Sequence, residues 1–577
     1  MDNVFDFRNR LINEYSSFSR SFSKVSAQDI LSKVEQEYDR GRYWPEPLIQ
    51  INPNYKRQST VQQLAHEGML HASCSHIFQT GKTEGKAADL HLYVHQLQAL
   101  AKAQKQQSYV VTTGTGSGKS LAFFVPIIDR ILKAKQADPQ KRTRAIVIYP
   151  MNALANSQLE ELDKFLHGYP DDQKPFTVAR YTGQESDADR KQIADNPPDI
   201  LLTNFMMLEL ILTRFEDVDR RVVEHCQGLE FLVLDELHTY RGRQGADVAL
   251  LVRRLRERLQ AHQLVCIGTS ATMSSTGTQA DRNQTVASVA SLLFGAQITE
   301  HDVIGETLER VTNPAKDIEA VKSLLKPALL KESYHWPDFA AFSDDPLAVW
   351  VELSLGIELP LNEPPRRARP VTLGDAAKRL ADDAQCTVED AHAGLQRFLV
   401  AAHDVKTPQG RAPFAFKLHQ FISGPGKVLA TLEPEGVRHI TLDAQRYAPG
   451  RQDEGTQLYP VHFCRDCGQE YHPVWRSGQS QVEYAPREID DISGDDDENA
   501  RYGFLCPARP GQTYRGSIED LPESWLDLTK AEPKVKSTYR KYVPEDIQVS
   551  PQGWQGRGGG DYWFIPGKFI MQKKTSP

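Results

Sequence analysis

Between about Leu92 and Gly295 the chain alternates short runs of β-branched and aromatic residues with longer stretches that repeat apolar positions every three or four residues. SYVVTT leads into LAFFVPIIDRILKA, RAIVIYP into LANSQLEELDKFL, DILLTN into FMMLELIL, and LEFLVLDE into ADVALLVRRLRERL; LVCIGTSAT closes the series. Strand and helix in strict alternation predict a parallel sheet with helices on both faces, because parallel neighbours need a crossover and the crossover is a helix. From Ala246 to Leu259, the residues Val248, Leu251, Val252, Leu255 and Leu259 fall on one stripe while Arg253, Arg254, Arg256 and Glu257 point elsewhere, so one face of that helix docks on the sheet.

The flanks read differently. Residues 1–90 form an N-terminal extension in which WPEPLIQINP, Trp44 to Pro53, carries three prolines that exclude regular helix or a central strand. The α/β domain spans 91–300. After Gly295 the alternation fades, and Pro364, Pro365 and Pro370, with Arg366, Arg367 and Arg369 between them, read as a linker near a domain boundary that leads into the helical LGDAAKRLADDAQ. Residues 301–413 are therefore a mostly helical accessory region, and 414–577 a β- and turn-rich one. Seven of the eleven residues from Glu488 to Glu498 are acidic, which is a solvated loop.

Composition narrows the class. At 577 residues the chain holds three or four structural units of about 150 residues. Its 40% hydrophobic and 25% charged content is that of a soluble globular protein. Acidic residues outnumber basic ones, 76 to 68, for a formal charge of −8, so any nucleic-acid site must be a confined groove rather than bulk positive charge. The first twenty residues contain no apolar core of a signal peptide and no run approaches the ~18 apolar residues of a membrane span, so the expectation is a soluble, cytoplasmic protein without a membrane partner. Seven mostly isolated cysteines fit a reducing compartment and leave Cys464 and Cys467 as the one pair with metal-ligand spacing.

The chemistry concentrates in two segments. Thr113, Gly114, Thr115, Gly116, Ser117, Gly118, Lys119 and Ser120 stand directly after a strand and directly before a helix. Glycines let such a loop turn tightly and aim its N–H groups at phosphate oxygens, the following helix adds its N-terminal dipole, Lys119 reaches the β and γ phosphates, and Ser120 can ligate Mg²⁺. Thr113 stands where the general phosphate-loop pattern has glycine, which marks a subtype. A second, acidic site is needed to hold Mg²⁺ and to activate water, and Asp235-Glu236 at the end of LEFLVLDE supplies it on the same edge of the sheet. Asp235 is assigned to Mg²⁺ with Ser120, and Glu236 is the general base.

With these residues in place, the chain resembles the superfamily 2 helicases. Asp235-Glu236-Leu237-His238 looks like their DExH box, Ser270-Ala271-Thr272 like their SAT motif, Tyr93-Val94-His95-Gln96 like their adenine-reading Q motif, and Tyr149 to Leu154 like motif Ia. Thr182-Gly183 and Thr203-Asn204 stand where backbone-touching residues fall. DELHTYRGRQGADVALLVRRL, WPEPLIQINP, HQFISGPGKV and HFCRDCGQEYHPVW resemble large bacterial Lhr-like and MrfA-like DNA helicases. The resemblance implies a RecA-like first lobe that binds ATP and Mg²⁺ and moves on nucleic acid, DNA in view of those relatives. It implies that Gln96 reads adenine, that His238, Ser270 and Thr272 couple hydrolysis to lobe movement, and that Asn152 and Thr203 lie near a strand. Standing alone, His238 reads as a loop residue and Gln96 as a helix-surface glutamine; Arg241 and Arg243 are either phosphate contacts or ordinary exposed arginines.

Two expected features are missing from the sequence. No second set of alternating strands and helices follows Gly295, and Gln555-Gly556-Arg557-Gly558 is only an echo of the motif that carries the arginine finger of a second lobe. The expectation is the N-terminal, ATP-binding half of a helicase or translocase, its second lobe supplied by another polypeptide or by further coding sequence. The alternative is a regulatory protein that binds ATP and strand with little hydrolysis. Tetrahedral zinc needs four ligands, and beside Cys464 and Cys467 stand only His462, His472 and Cys506 as completions, so the pair is either a reduced thiol pair or part of a zinc site. The resemblance implies a second cysteine pair near the position of Phe569 to Gln572.

Overall fold

The computed structural model describes residues 3–21, 24–114, 116–271, 278–361, 363–424, 426–491, 500–508, 516–529, 532–556 and 559–567. The chain divides into two compact units. One comprises Gln50–Pro370 and Ala381–Lys417; the other comprises Met1–Ile49, Val371–Leu380 and Leu418–Pro577.

The first unit is built on seven strands: β1 (Tyr109–Thr112), β2 (Ala145–Tyr149), β3 (Val178–Tyr181), β4 (Ile200–Asn204), β5 (Phe231–Leu234), β6 (Val265–Ser270) and β7 (Val303–Gly305). They lie in the order β7-β1-β6-β5-β2-β4-β3, every neighbouring pair parallel. This is the doubly wound α/β sheet that the alternation predicts, with the RecA-like architecture that the helicase resemblance implies. Successive side chains on a strand point to opposite faces, and each face here is a separate core. Tyr109 and Val111 of β1, and Ala145, Val147 and Tyr149 of β2, enter one core; Val110, Ile146 and Ile148 enter the other. The helices α1 (Val94–Gln104), α2 (Leu121–Ala137) and α3 (Asn152–Leu166) cover the first face, and α4 (Phe205–Thr213), α5 (Gly242–Arg258) and α6 (Gln279–Phe294) cover the second. The predicted stripe on α5 is the observed one, with Val248, Leu251, Val252 and Leu255 buried.

Helix α2 contains Pro126, which has no N–H to offer the carbonyl four residues back, that of Ala122. The buried hydroxyl of Tyr109 donates to that carbonyl at 2.8 Å. A strand residue thus completes the helix behind the loop that joins β1 to α2.

Three sequence expectations shift. The sheet does not end at residue 300, because Val303–Gly305 pairs in parallel with β1 as the edge strand. The 1–90 extension is not one piece: residues 50–90 join the α/β unit and 1–49 belong to the other. The proline-arginine stretch at 364–370 is not a free linker, since Arg366–Arg367 pairs antiparallel with Ile357–Glu358. The two strand segments are too short to show periodicity, and the partner of Val303–Gly305 lies far off in sequence. Most of the acidic run from Glu488 to Glu498 lies outside the described residues.

The second unit holds an eight-stranded sheet: β8 (Val428–Ala430), β9 (Ile440–Thr441), β10 (Tyr459–Phe463), β11 (Glu470–Ser477), β12 (Glu483–Pro486), β13 (Arg501–Pro507), β14 (Glu545–Val549) and β15 (Gly560–Pro566). All its pairings are antiparallel, so it is no second RecA-like sheet. The N-terminal helix Gln28–Asp39 packs here, with Ala27 and Ile30 against Val428, Ala430 and Val461. A buried ion triad locks it: Arg438 donates to both carboxylate oxygens of Asp29 at 2.8 Å and to Glu470 at 2.9 Å. Burial pushes the Asp29 carboxyl up, but the hydrogen bonds and charge of Arg438, with the Gly436 and Ile30 amides, outweigh it and hold it at about 2.

A carboxylate whose pKa is depressed on folding stabilises the fold fully above its unfolded value of about 4 and loses that contribution as pH falls toward 2. Asp29→Asn is therefore expected to lower the melting temperature of this unit at pH 6, and the gap to wild type is expected to close as pH is lowered from about 4. Thermal unfolding of both proteins across that range checks it; a gap that stays constant counts against the triad.

Candidate functional site

In a doubly wound sheet the loops that can meet a ligand are those leaving the carboxyl ends of the strands, and the sequence-marked residues gather there. The segment 113–120 joins β1 to α2. Gly116 and Gly118 have φ of +78° and +65°, the left-handed region that glycine tolerates. A Cβ on Gly118 would lie 2.7 Å from the Gln96 amide nitrogen, so a side chain there would displace the Gln96 contact. Thr113, in place of glycine, is buried, and its hydroxyl bonds the Ser117 hydroxyl at 2.6 Å, closing the loop across its neck. Thr115 lies outside the described residues.

The first turn of α1 grips the loop backbone. His95 and Gln96 are both buried. Burial lowers the His95 imidazole below its ordinary range. Since a carbonyl can only accept, its Nε2 carries the proton and donates to the Ser117 carbonyl at 3.0 Å. Gln96 donates to the Gly118 carbonyl at 2.8 Å and accepts from the Tyr93 amide at 2.8 Å, so both ends of its side chain are engaged. Its place in this structure is that of a brace on the loop.

Across the site, β5 ends in Asp235 and Glu236. Burial, then the neighbouring charge of Glu236, raises the Asp235 carboxyl, and the Thr269 hydroxyl, which donates to it, and Lys119 oppose that rise. Glu236 holds a left-handed backbone at φ +53°, a conformation costly for a residue with a Cβ, and its amide donates to Thr269 Oγ1 at 3.2 Å. Its carboxylate faces Lys119 Nζ at 3.5 Å and His238 Nδ1 at 3.3 Å. His238 Nδ1 also lies 3.4 Å from Ser270 Oγ. Thus Lys119, Asp235, Glu236, His238 and Ser270 stand together; Thr272 lies outside the described residues. A half-buried Asp235 with a raised carboxyl, beside the Glu236 carboxylate, is a hard-oxygen donor set that suits Mg²⁺.

Further along the same edge, Asn204 Nδ2 donates to Asn152 Oδ1 at 2.7 Å and to the Thr182 carbonyl at 3.0 Å. Thr203 is fully buried, and its hydroxyl donates to the Tyr181 carbonyl at 2.7 Å. Because side chains alternate along β4, the residue presented at this edge is Asn204, one position later than the sequence expectation. Arg241 and Arg243 are exposed at the start of α5. Met151, within the Tyr149 to Leu154 segment, and Met206, in the first turn of α4, are both 59% exposed.

In the other unit, Cys464 and Cys467 sit in the turn between β10 and β11, where the Cys464 carbonyl accepts from the Gly468 amide at 2.9 Å. His472 is buried against Tyr459 and Tyr562, and burial lowers its imidazole to about 3. Among the described residues no group of three or more His, Cys, Asp or Glu is assembled as a metal site, so neither His462, His472 nor Cys506 completes one with the pair. Arg557, Gly558 and the stretch from Phe569 to Gln572 lie outside the described residues.

Residues 93–280 match the DEAD/DEAH box helicase family. The chain is 34% identical over 186 residues to the uncharacterised ATP-dependent helicase YprA of Bacillus subtilis, an alignment covering 32% of this chain and 23% of that one. It is 32% identical over 186 residues to the Lhr helicase/uracil glycosylase of Escherichia coli, covering 30% of this chain and 12% of that one. Among solved structures, the DUF1998 helicase MrfA bound to DNA aligns over 50% of this chain and 37% of its own at 24% identity, with a TM-score of 0.34. The chain spans less than a quarter of the length of these curated relatives. On the family match over the parallel sheet and its motif-bearing edge, the chain carries a DEAD/DEAH box helicase domain at residues 93–280.

Proposed function

We propose that this chain is an ATP-dependent helicase or translocase component that acts on nucleic acid, DNA in preference to RNA, in the cytoplasm. The observation that carries the reading is the convergence of the braced loop 113–120 with Lys119, Asp235 and Glu236 at one strand edge inside the family-matched region. Loop amides and the N-terminus of α2 would bind the β and γ phosphates, and Lys119 would pair with them. Ser120 and Asp235 would hold Mg²⁺, which when bound neutralises phosphate charge. Glu236 would take the proton of the attacking water, and its left-handed backbone, pinned by Thr269, fixes where that carboxylate can reach. His238 and Ser270 connect the base to the end of β6 and would pass its state to the strand-binding edge. There Asn152, Asn204 and Arg241 would touch the sugar-phosphate backbone, with Met151 and Met206 giving bases an apolar surface.

No arginine finger is assigned. A finger supplied by a second lobe is worth about 10³ to 10⁵ in turnover, so this chain alone is expected to bind ATP and hydrolyse it slowly, and a second-lobe polypeptide added in trans is expected to accelerate it. Strand-stimulated, rapid ATP turnover by the purified 577-residue chain would overturn that part of the reading.

Lys119→Ala is expected to weaken ATP binding about ten- to a hundredfold, the loss of a charge-assisted contact of about 1.5–3 kcal/mol. Glu236→Gln is expected to retain binding while turnover falls by about 10² to 10⁴. Calorimetry with ATP and a phosphate-release assay separate the two; equal affinity in wild type and Lys119→Ala removes the phosphate-loop assignment. Single-stranded DNA binding is expected to weaken steeply with salt, and Arg241→Ala to lower the slope of log affinity against log salt by about one. A slope unchanged in that variant assigns the phosphate contact elsewhere.

A further inference from the structure

The phosphate loop is also held by residues outside the family-matched span. Strand β7 runs beside β1 with Gly305 opposite Thr112, and so delivers Glu306 to the base of the loop. Glu306 Oε2 accepts the Gly114 amide at 3.1 Å and lies 3.3 Å from Arg367 Nη2. Arg367 comes from the short strand paired with Ile357–Glu358. Its guanidinium donates to Asn52 Oδ1 and, at 2.6 Å, to the Tyr55 hydroxyl, with its carbon 5.7 Å from the centre of the Tyr55 ring. A Cβ on Gly114 would lie only 2.8 Å from Arg367 Nη2, so glycine lets the guanidinium pack directly on the loop backbone. Both side chains are largely buried, at 14% and 19% exposure for Arg367 and Glu306.

These contacts set an electrostatic problem. The Glu306 carboxylate fixes the first glycine of the loop, yet a negative charge beside a site for triphosphate opposes binding. Arg367 cancels that charge while leaving the hydrogen bond to Gly114 intact. We propose that Arg367 and Glu306 are a positioning pair for the nucleotide site, in which the arginine offsets the repulsion between the loop-holding carboxylate and bound triphosphate. This makes residues 357–367, together with Asn52 and Tyr55, part of the nucleotide site although they lie outside the matched domain. The proposal rests on the reading of the loop as an ATP site.

The test is binding of a fluorescent ATP analogue to the full chain, with melting temperature measured without nucleotide. Arg367→Ala leaves Glu306 uncompensated and is expected to weaken binding about tenfold. Glu306→Gln keeps an amide oxygen for Gly114 and frees a cation, so binding is expected to stay level or tighten. The double variant Arg367→Ala with Glu306→Gln is expected to recover most of the loss, whereas a cluster that only supports the fold would bind no better in the double variant than in Arg367→Ala. Arg367→Lys keeps the charge and is expected to bind within about threefold of wild type, which serves if Arg367→Ala does not fold. Absence of recovery in the double variant, Arg367→Ala within about twofold of wild type, or Arg367→Lys as weak as a charge-removing variant each overturns the pair. Lys119→Ala run alongside separates the failures: if it binds normally the ATP reading falls, and if it alone weakens binding only the proposed pair falls.

Discussion

A tight glycine-rich loop that turns its backbone N–H groups toward one point leaves its own carbonyls turned outward into the protein with partners to find. In this chain that requirement organises the surrounding structure. The Ser117 and Gly118 carbonyls are taken by His95 and Gln96 from the first turn of α1, the Thr113 and Ser117 hydroxyls take each other, and Glu306 takes the amide at the loop's start. The parallel sheet brings these segments together, since β7, β1 and β6 lie side by side and end at the same edge.

The acidic side of the site obeys a related rule. Asp235 is half-buried with a raised carboxyl, and one residue, Thr269, serves both members of the acidic pair: its hydroxyl donates to Asp235 and accepts the Glu236 amide. Thr269 precedes Ser270 on β6, and Ser270 reaches His238, which faces Glu236. A shift of β6 by a fraction of an ångström would therefore be felt by both carboxylates and by the histidine at once. That gives the end of β6 a direct mechanical link to the acidic pair.

The helicase-domain fold was legible because β-branched runs and helical stripes recur there, as in β2 and α5, and because a loop such as 113–120 has few structural readings. Asp235, Glu236 and His238 were legible for the same reason, being set at a strand end by an apolar run. What stayed hidden depends on pairing between distant residues or on strand phase. Arg367 reads as one of three arginines in a proline-rich stretch, and only its pairing with Ile357–Glu358 carries it to Gly114. Thr203 and Asn204 differ by a single position, and the phase that buries the first and presents the second is set by β2 and β3 on either side. The bond from Tyr109 to the Ala122 carbonyl could have been anticipated only in part: Pro126 announces an orphan acceptor but not its donor.

The order in which the second unit can assemble follows from its composition. Its first piece ends at Ile49, and its sheet begins only after Leu418, with the whole α/β unit translated between them. At typical synthesis rates of about 5–20 residues per second, the helix Gln28–Asp39 leaves the ribosome tens of seconds before Val428, Val461 and Arg438 exist to receive it. During that interval Asp29 and Ile30 have no native partner, and closure over so long a loop is slow compared with the local contacts of the α/β unit. The parallel domain is thus free to fold first, and the N-terminal helix is an early-made, late-docked element that waits unpaired while the rest of its own unit is synthesised.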